Sequence, residues 1–63
     1  MIALDNAKTW VRTEDITVVR LNSYGDNYWR VLVHLRDGKI IEGRDMSETA
    51  AHERVADILK ELP

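Results

Sequence analysis

The sequence contains no cysteine, which excludes disulfide bonds and thiolate metal sites. It also lacks any apolar run that approaches the roughly 20 residues of a membrane-spanning helix. The first ten residues, MIALDNAKTW, have neither the basic segment nor the apolar segment of a signal peptide. These absences predict a soluble, cytoplasmic protein with no membrane partner.

The chain is also short. Its 63 residues allow a single domain, 1–63, in which residues 1–9 form either a flexible or a short-strand N-terminal arm. A domain of this size buries only about 60% of the surface that its unfolded chain exposes, so its stability is marginal. Unusually good packing or self-association is the usual supplement.

Neither sign of charge is in large excess, since the net charge is only −2. This value gives no overall attraction to nucleic acid or to an anionic membrane. The distribution is uneven, because residues 8–44 are mildly basic and residues 45–63 are acidic.

The tail SETAAHERVADILKEL predicts an amphipathic helix, because its apolar residues recur at intervals of three and four. Ser47 is a candidate N-cap, and Asp45 with Glu48 offers a capping box one turn earlier. The apolar positions of the helix are Ala51, Val55, Ile58, Leu59 and Leu62.

The preceding residues predict strands. Ile16–Leu21 is rich in β-branched residues, a second strand runs over residues 28–36, and Asp37-Gly38 turns the chain into a third over residues 39–44. TWVR and MIAL are candidates for short additional strands. Strands followed by a helix predict an α+β fold, with a small antiparallel three- to four-stranded sheet and one C-terminal helix packed on one face.

Alternation along the second strand predicts which face is the core. Trp29, Val31, Val33 and Leu35 share one face, and they form the expected core together with the apolar positions of the helix. In the first strand, alternation groups Thr17, Val19 and Leu21 on one face and Ile16, Val18 and Arg20 on the other. The third strand has two registers, which pair Leu35 with Ile40 or, with Gly38 as a bulge, Val33 with Ile41.

One helix covers one face of the sheet, so apolar residues remain on the second face: Leu32, one isoleucine of the third strand and one row of the first strand. Such a patch on a small domain marks an interface. We therefore expect a non-enzymatic protein-interaction module, with a homodimer favoured. The candidate interface residues are Tyr28, Arg30, Leu32, His34 and Ile40. In a monomeric alternative, residues 1–12 cover this face with Ile2, Leu4, Trp10 and Val11.

Two further functions compete with self-association. Basic side chains beside an exposed aromatic are typical of sheets that bind single-stranded nucleic acid, and the candidate contacts are Arg20, Tyr28, Arg30, Arg36 and Arg44. Alternatively, the chain is a small adaptor that docks on another protein by an edge strand or by its open sheet face.

No residue pattern predicts catalysis, a cofactor or a metal. His34 and His52 have no ligand spacing that links them, and Ser47 is explained by helix capping. The three glycines form no phosphate-binding run.

Overall fold

The computed structural model describes residues 1–4 and 8–62. Over these residues the chain forms β1 (Ile2–Leu4), β2 (Thr9–Val11), a 3-10 turn at Thr13–Asp15, β3 (Ile16–Ser23), β4 (Trp29–Leu35), β5 (Ile40–Glu42) and α1 (Glu48–Glu61). Strands β3, β4 and β5 form an antiparallel sheet with β4 at its centre, and β1 pairs with β2 in a separate two-stranded sheet. The predicted α+β fold, with its C-terminal helix packed on the sheet, is confirmed.

Helix α1 begins as the sequence predicts. The Ser47 side chain accepts a hydrogen bond from the Ala50 backbone N–H at 3.2 Å, which satisfies one of the free N–H groups of the first turn. Glu48 in the first turn and Lys60 in the last turn both suit the helix dipole. Within the described part of the chain, no helix is both long enough and apolar enough to cross a membrane.

The core lies between α1 and the sheet. Ala51 and Ile58 on the helix and Val31 and Val33 on β4 are all buried, and these residues belong to one cluster. The prediction that Leu59 belongs to the core is wrong, because 53% of its surface is exposed. One residue advances a helix by about 100°, so Leu59 turns away from the sheet when Ile58 faces it.

The hairpin after β4 adopts the bulged register, one of the two that the sequence allows. Val33 pairs with Ile41, and the Leu35 N–H donates to the Lys39 carbonyl at 2.8 Å. Gly38 has a φ of 94°, a backbone conformation that residues other than glycine rarely adopt. Ile41 therefore faces α1 and Ile40 faces the opposite side.

The register of β3 shifts at its start. Ile16 pairs with Leu35 and Val18 pairs with His34, so Thr17 is an extra residue between them. The prediction that Ile16 shares a face with Val18 is wrong, because the bulge moves Ile16 to the side that α1 covers, where it packs against the core.

The N-terminal hairpin packs on the same side of the sheet as α1. Ile2, Leu4 and Val11 are buried in the core cluster, and Arg54 of α1 donates to the Ala3 carbonyl at 2.6 Å. These residues therefore do not cover the second face of the sheet, as the monomeric alternative requires. The predicted N-terminal arm includes residues 5–7, which lie outside the described residues.

Candidate protein-interaction face

The sheet side opposite α1, here called the outer face, follows from the register of the three strands. Its first row across the sheet is Val18, His34 and Ile40, and its second row is Arg20, Leu32 and Glu42. Asn22 and Arg30 pair in the third row. Three candidate interface residues, Arg30, Leu32 and His34, thus lie together on β4, and Ile40 lies next to His34.

Arg30 organises one end of the outer face. Its guanidinium contacts Glu42 at 2.8 Å and Asp45 at 2.5 Å, and it lies 4.8 Å from the centre of the Tyr24 ring. The Tyr24 hydroxyl donates to Glu42 at 3.2 Å. The hydrogen bond to Asp45, followed by that to Glu42, raises the pKa of Arg30 against an opposing effect of desolvation. Arg30 is therefore charged throughout the ordinary pH range, and it contacts two carboxylates.

Arg20 is held over the sheet at the other end of the same face. Its Nε–H donates to His34 Nε2 at 2.9 Å. The Arg20 side chain is therefore directed across its own sheet toward β4, although it stays exposed to solvent.

Leu32 is buried, with 5% of its surface exposed, although it lies on the outer face. The prediction that Leu32 remains in water is therefore wrong. Its cross-strand partners are Arg20 and Glu42, and each is held in place by a further hydrogen bond, to His34 and to Arg30 respectively. The aliphatic parts of such anchored side chains cover an apolar neighbour while their charged ends stay in water.

The exposed apolar surface surrounds this covered centre. The exposed fractions are 45% for Val18, 53% for Ile40, 55% for Tyr24 and 56% for Tyr28. Val18 and Ile40 flank His34 in one row, and Tyr24 lies over Arg30 at the other end. Tyr28 lies just before β4, where its carbonyl accepts a hydrogen bond from the Tyr24 N–H at 2.8 Å. The outer face therefore has apolar side chains at its margins and balanced charges between them.

The residues predicted to contact nucleic acid lie on different sides of the structure. Arg20 and Arg30 lie on the outer face, whereas Arg36 lies past the end of β4 and donates to the Glu14 carbonyl at 2.7 Å. Arg44 lines a cavity of about 320 Å³ on the side of α1, together with Val31 and Ile58. Nucleic-acid binding stays a prediction, and the residues chosen for it do not share one surface.

Among the described residues, neither histidine belongs to a cluster of metal ligands. In residues 1–4 and 8–62, no group of three or more histidine, aspartate or glutamate side chains is close enough to hold a metal ion. The His52 ring lies 5.9 Å from the Trp29 ring, and His52 Nε2 lies 3.8 Å from a Glu48 oxygen.

Sequence reasoning missed the residues that organise the outer face. The sequence analysis places Asp45 at the start of a helix and assigns Tyr24 no role, yet both contact Arg30. The alternation that places Arg30 and Glu42 on one face was a usable signal for their ion pair. The position of Tyr24 carried no such signal, because it depends on how the loop after β3 returns over the sheet.

Resemblance to known proteins gives no further guidance. Comparison with protein-family models, curated protein sequences and solved structures finds no match to this chain. The physical properties of the outer face are therefore the basis on which a function is assigned.

Proposed function

We propose that this chain is a non-enzymatic, cytoplasmic protein-interaction module that associates with a second copy of itself through the part of the sheet that α1 leaves uncovered. This part comprises the outer face and the free edge of β3. The observation that carries the proposal is the exposure of Val18 on that face, next to the edge of β3 that no described strand pairs with.

The charge of the outer face favours a partner of the same kind. Arg20 and Arg30 are balanced by Glu42 and Asp45, so the face has no net charge that would select a strongly acidic or basic partner. Two copies of a neutral face approach each other without like-charge repulsion. Twofold homodimers are also the commonest soluble assemblies.

The size of the domain provides a second reason. Among the described residues, seven side chains form the buried cluster between the sheet, α1 and the N-terminal hairpin: Ile2, Leu4, Val11, Val31, Val33, Ala51 and Ile58. Small domains whose cores are limited gain stability from association, because binding to the folded state alone shifts the folding equilibrium.

A pair of lysine substitutions tests this proposal. Val18→Lys places a charge on the uncovered part of the sheet, and we expect it to weaken dimer formation at least tenfold in concentration-dependent size-exclusion chromatography. Leu59→Lys is the matched control, because Leu59 is similarly exposed but lies on α1, away from the outer face. Equal effects of the two substitutions, or no effect of Val18→Lys, would contradict the proposal.

An adaptor that binds a different protein is the alternative outcome. In that case the purified chain is monomeric at every concentration, and the outer face is left for another partner. Isothermal titration with the chain itself then shows no heat of dissociation on dilution.

A further inference from the structure

We infer that two copies associate by pairing their β3 strands antiparallel, with the twofold axis at Leu21. This inference rests on the self-association proposed above and specifies its geometry. β3 is an edge strand and, at eight residues, the longest strand of the described chain. Its only neighbour among the described strands is β4. A long edge strand presents free N–H and C=O groups that another strand can pair with.

The hydrogen bonds of β4 show which groups of β3 are free. Toward β5, the Leu35 N–H donates to the Lys39 carbonyl at 2.8 Å, and the Val31 carbonyl accepts from the Gly43 N–H at 2.9 Å. Bonds of an antiparallel strand alternate between its two neighbours, so the odd-numbered residues of β4 bond toward β5 and the even-numbered residues bond toward β3.

The register then identifies the free backbone groups of β3. Val19, Leu21 and Ser23 pair with Val33, Val31 and Trp29, which are the odd-numbered residues of β4. These pairs are not hydrogen-bonded, so Val19, Leu21 and Ser23 turn their N–H and C=O groups toward the open edge. No hydrogen bond from elsewhere in the described chain reaches those groups.

β3 also lacks the features that usually protect an edge. It contains no proline and no lysine, and its one charged residue, Arg20, is directed over its own sheet toward His34. The bulge at Thr17 lies at the start of the strand and leaves Val19–Ser23 regular. The opposite edge is less suitable, because β5 is only three residues long.

One register satisfies all of the free groups. With the axis at Leu21, Leu21 pairs with its own copy and Val19 pairs with Ser23 of the second copy on both sides of the axis, which gives about six new hydrogen bonds. An axis at Arg20 would place two arginines opposite each other and bring Ser23 against the bulged Thr17. An axis at Val19 would bring Leu21 against that bulge.

The same register is complementary on the outer face. Arg20 lies opposite Asn22 of the second copy, which avoids opposition of like charges. Val18 lies opposite Tyr24 of the second copy, whose ring is turned toward Arg30 of its own sheet, so the exposed Val18 side chain meets no charge across the junction. The sheet then continues from one copy into the other, and both α1 helices lie on one side of it.

Cysteine cross-linking tests the register, because the natural sequence contains no cysteine. Arg20→Cys and Asn22→Cys proteins are mixed in equal amounts, oxidised mildly and analysed by mass spectrometry. In the proposed dimer these positions are directly opposite, at a Cα separation of about 4.5 Å that a disulfide spans. Identical positions lie on the diagonal, at about 7 to 8 Å.

We therefore expect the mixed disulfide to be the main product, in excess of either disulfide between identical proteins. The exposed helix residue Asp57, replaced by cysteine, measures cross-linking by random collision. A statistical mixture of products, or an Arg20→Cys disulfide with itself as the main product, would overturn the inference.

Blocking the edge gives an independent measurement. Ser23→Pro removes an N–H that points away from β4, so the internal ladder keeps its bonds while pairing between copies is lost. Ser23→Ala is the matched control. We expect at least a tenfold loss of dimer affinity for Ser23→Pro, no change for Ser23→Ala and little change for Ile40→Lys, because Ile40 lies on the far strand.

These variants separate the two proposals. A dimer that Ile40→Lys disrupts and Ser23→Pro leaves intact would overturn edge pairing and support stacking of outer faces, so that self-association stands. A natural chain that is monomeric at every concentration would overturn both. The cysteine experiment decides the geometry even where the proline variant fails to fold.

Discussion

Two adjacent helix residues provide a sharp test of the packing. Ile58 is 1% exposed within the core cluster, whereas Leu59 is 53% exposed. Ile58→Ala should lower the free energy of unfolding by about 2 to 5 kcal/mol, through the lost apolar contacts and the cavity left behind. Leu59→Ala should change it by about 0.5 kcal/mol or less, as most surface substitutions do.

The first of these losses is large for this protein. At about 0.05 to 0.15 kcal/mol per residue, a chain of 63 residues has a total stability of about 3 to 9 kcal/mol. A loss of 1 kcal/mol lowers the Tm of a domain this small by about 4 to 8 °C. Ile58→Ala should therefore lower the Tm by at least about 8 °C or unfold the chain.

Urea denaturation followed by far-UV circular dichroism measures both variants, at one fixed protein concentration because association contributes to stability. The half-buried Trp29 provides a second, fluorescent probe. Equal losses for the two variants, or a larger loss for Leu59→Ala, would show that the orientation of α1 is wrong.

Three other perturbations test the sheet and its outer face. Leu32→Ala should lower the free energy of unfolding by about 2 to 5 kcal/mol, although Leu32 lies opposite α1. A Tm that falls by less than about 4 °C would contradict the burial of Leu32. Gly38→Ala should lower the free energy of unfolding by about 1 to 2 kcal/mol, because Gly38 has a φ of 94°. An unchanged midpoint of urea denaturation would refute that turn geometry. A labelled single-stranded oligonucleotide should show no saturable anisotropy change at low salt up to about 100 µM protein, since Glu42 and Asp45 offset the positive charges of Arg20 and Arg30. Tight salt-dependent binding would favour the nucleic-acid alternative.

Local patterns predicted much of the fold. Alternation along β4 identified Val31 and Val33 as core residues, and the three-and-four spacing of the tail identified α1. The cap at Ser47 was also predictable, because an N-cap depends on residues within one turn of the helix. Features of this kind are local, so the sequence specifies them directly.

Other features depend on how distant segments meet. The bulge at Thr17 and the choice of hairpin register each shift one strand by a single residue, and alternation allows both arrangements. The apolar positions of α1 span a wide face of the helix that includes both Ile58 and Leu59. Only packing against β3 and β4 determined that Ile58 is buried and Leu59 is exposed.

The outer face was the least predictable part of the structure. Leu32 was expected to be exposed because no second layer covers it, yet only 5% of its surface is exposed, and its cross-strand neighbours Arg20 and Glu42 have long polar side chains. Leu32 is for this reason a poor probe of the interface. Val18 and Ser23, which lie at the margin of the face and at the open edge, are better probes.

The most direct test of self-association is the molar mass of the natural chain in solution, measured by light scattering over a hundredfold range of concentration. Self-association predicts a mass that rises to twice the 7.3 kDa of one chain and remains there at the highest concentrations. A mass that stays at 7.3 kDa throughout would contradict it.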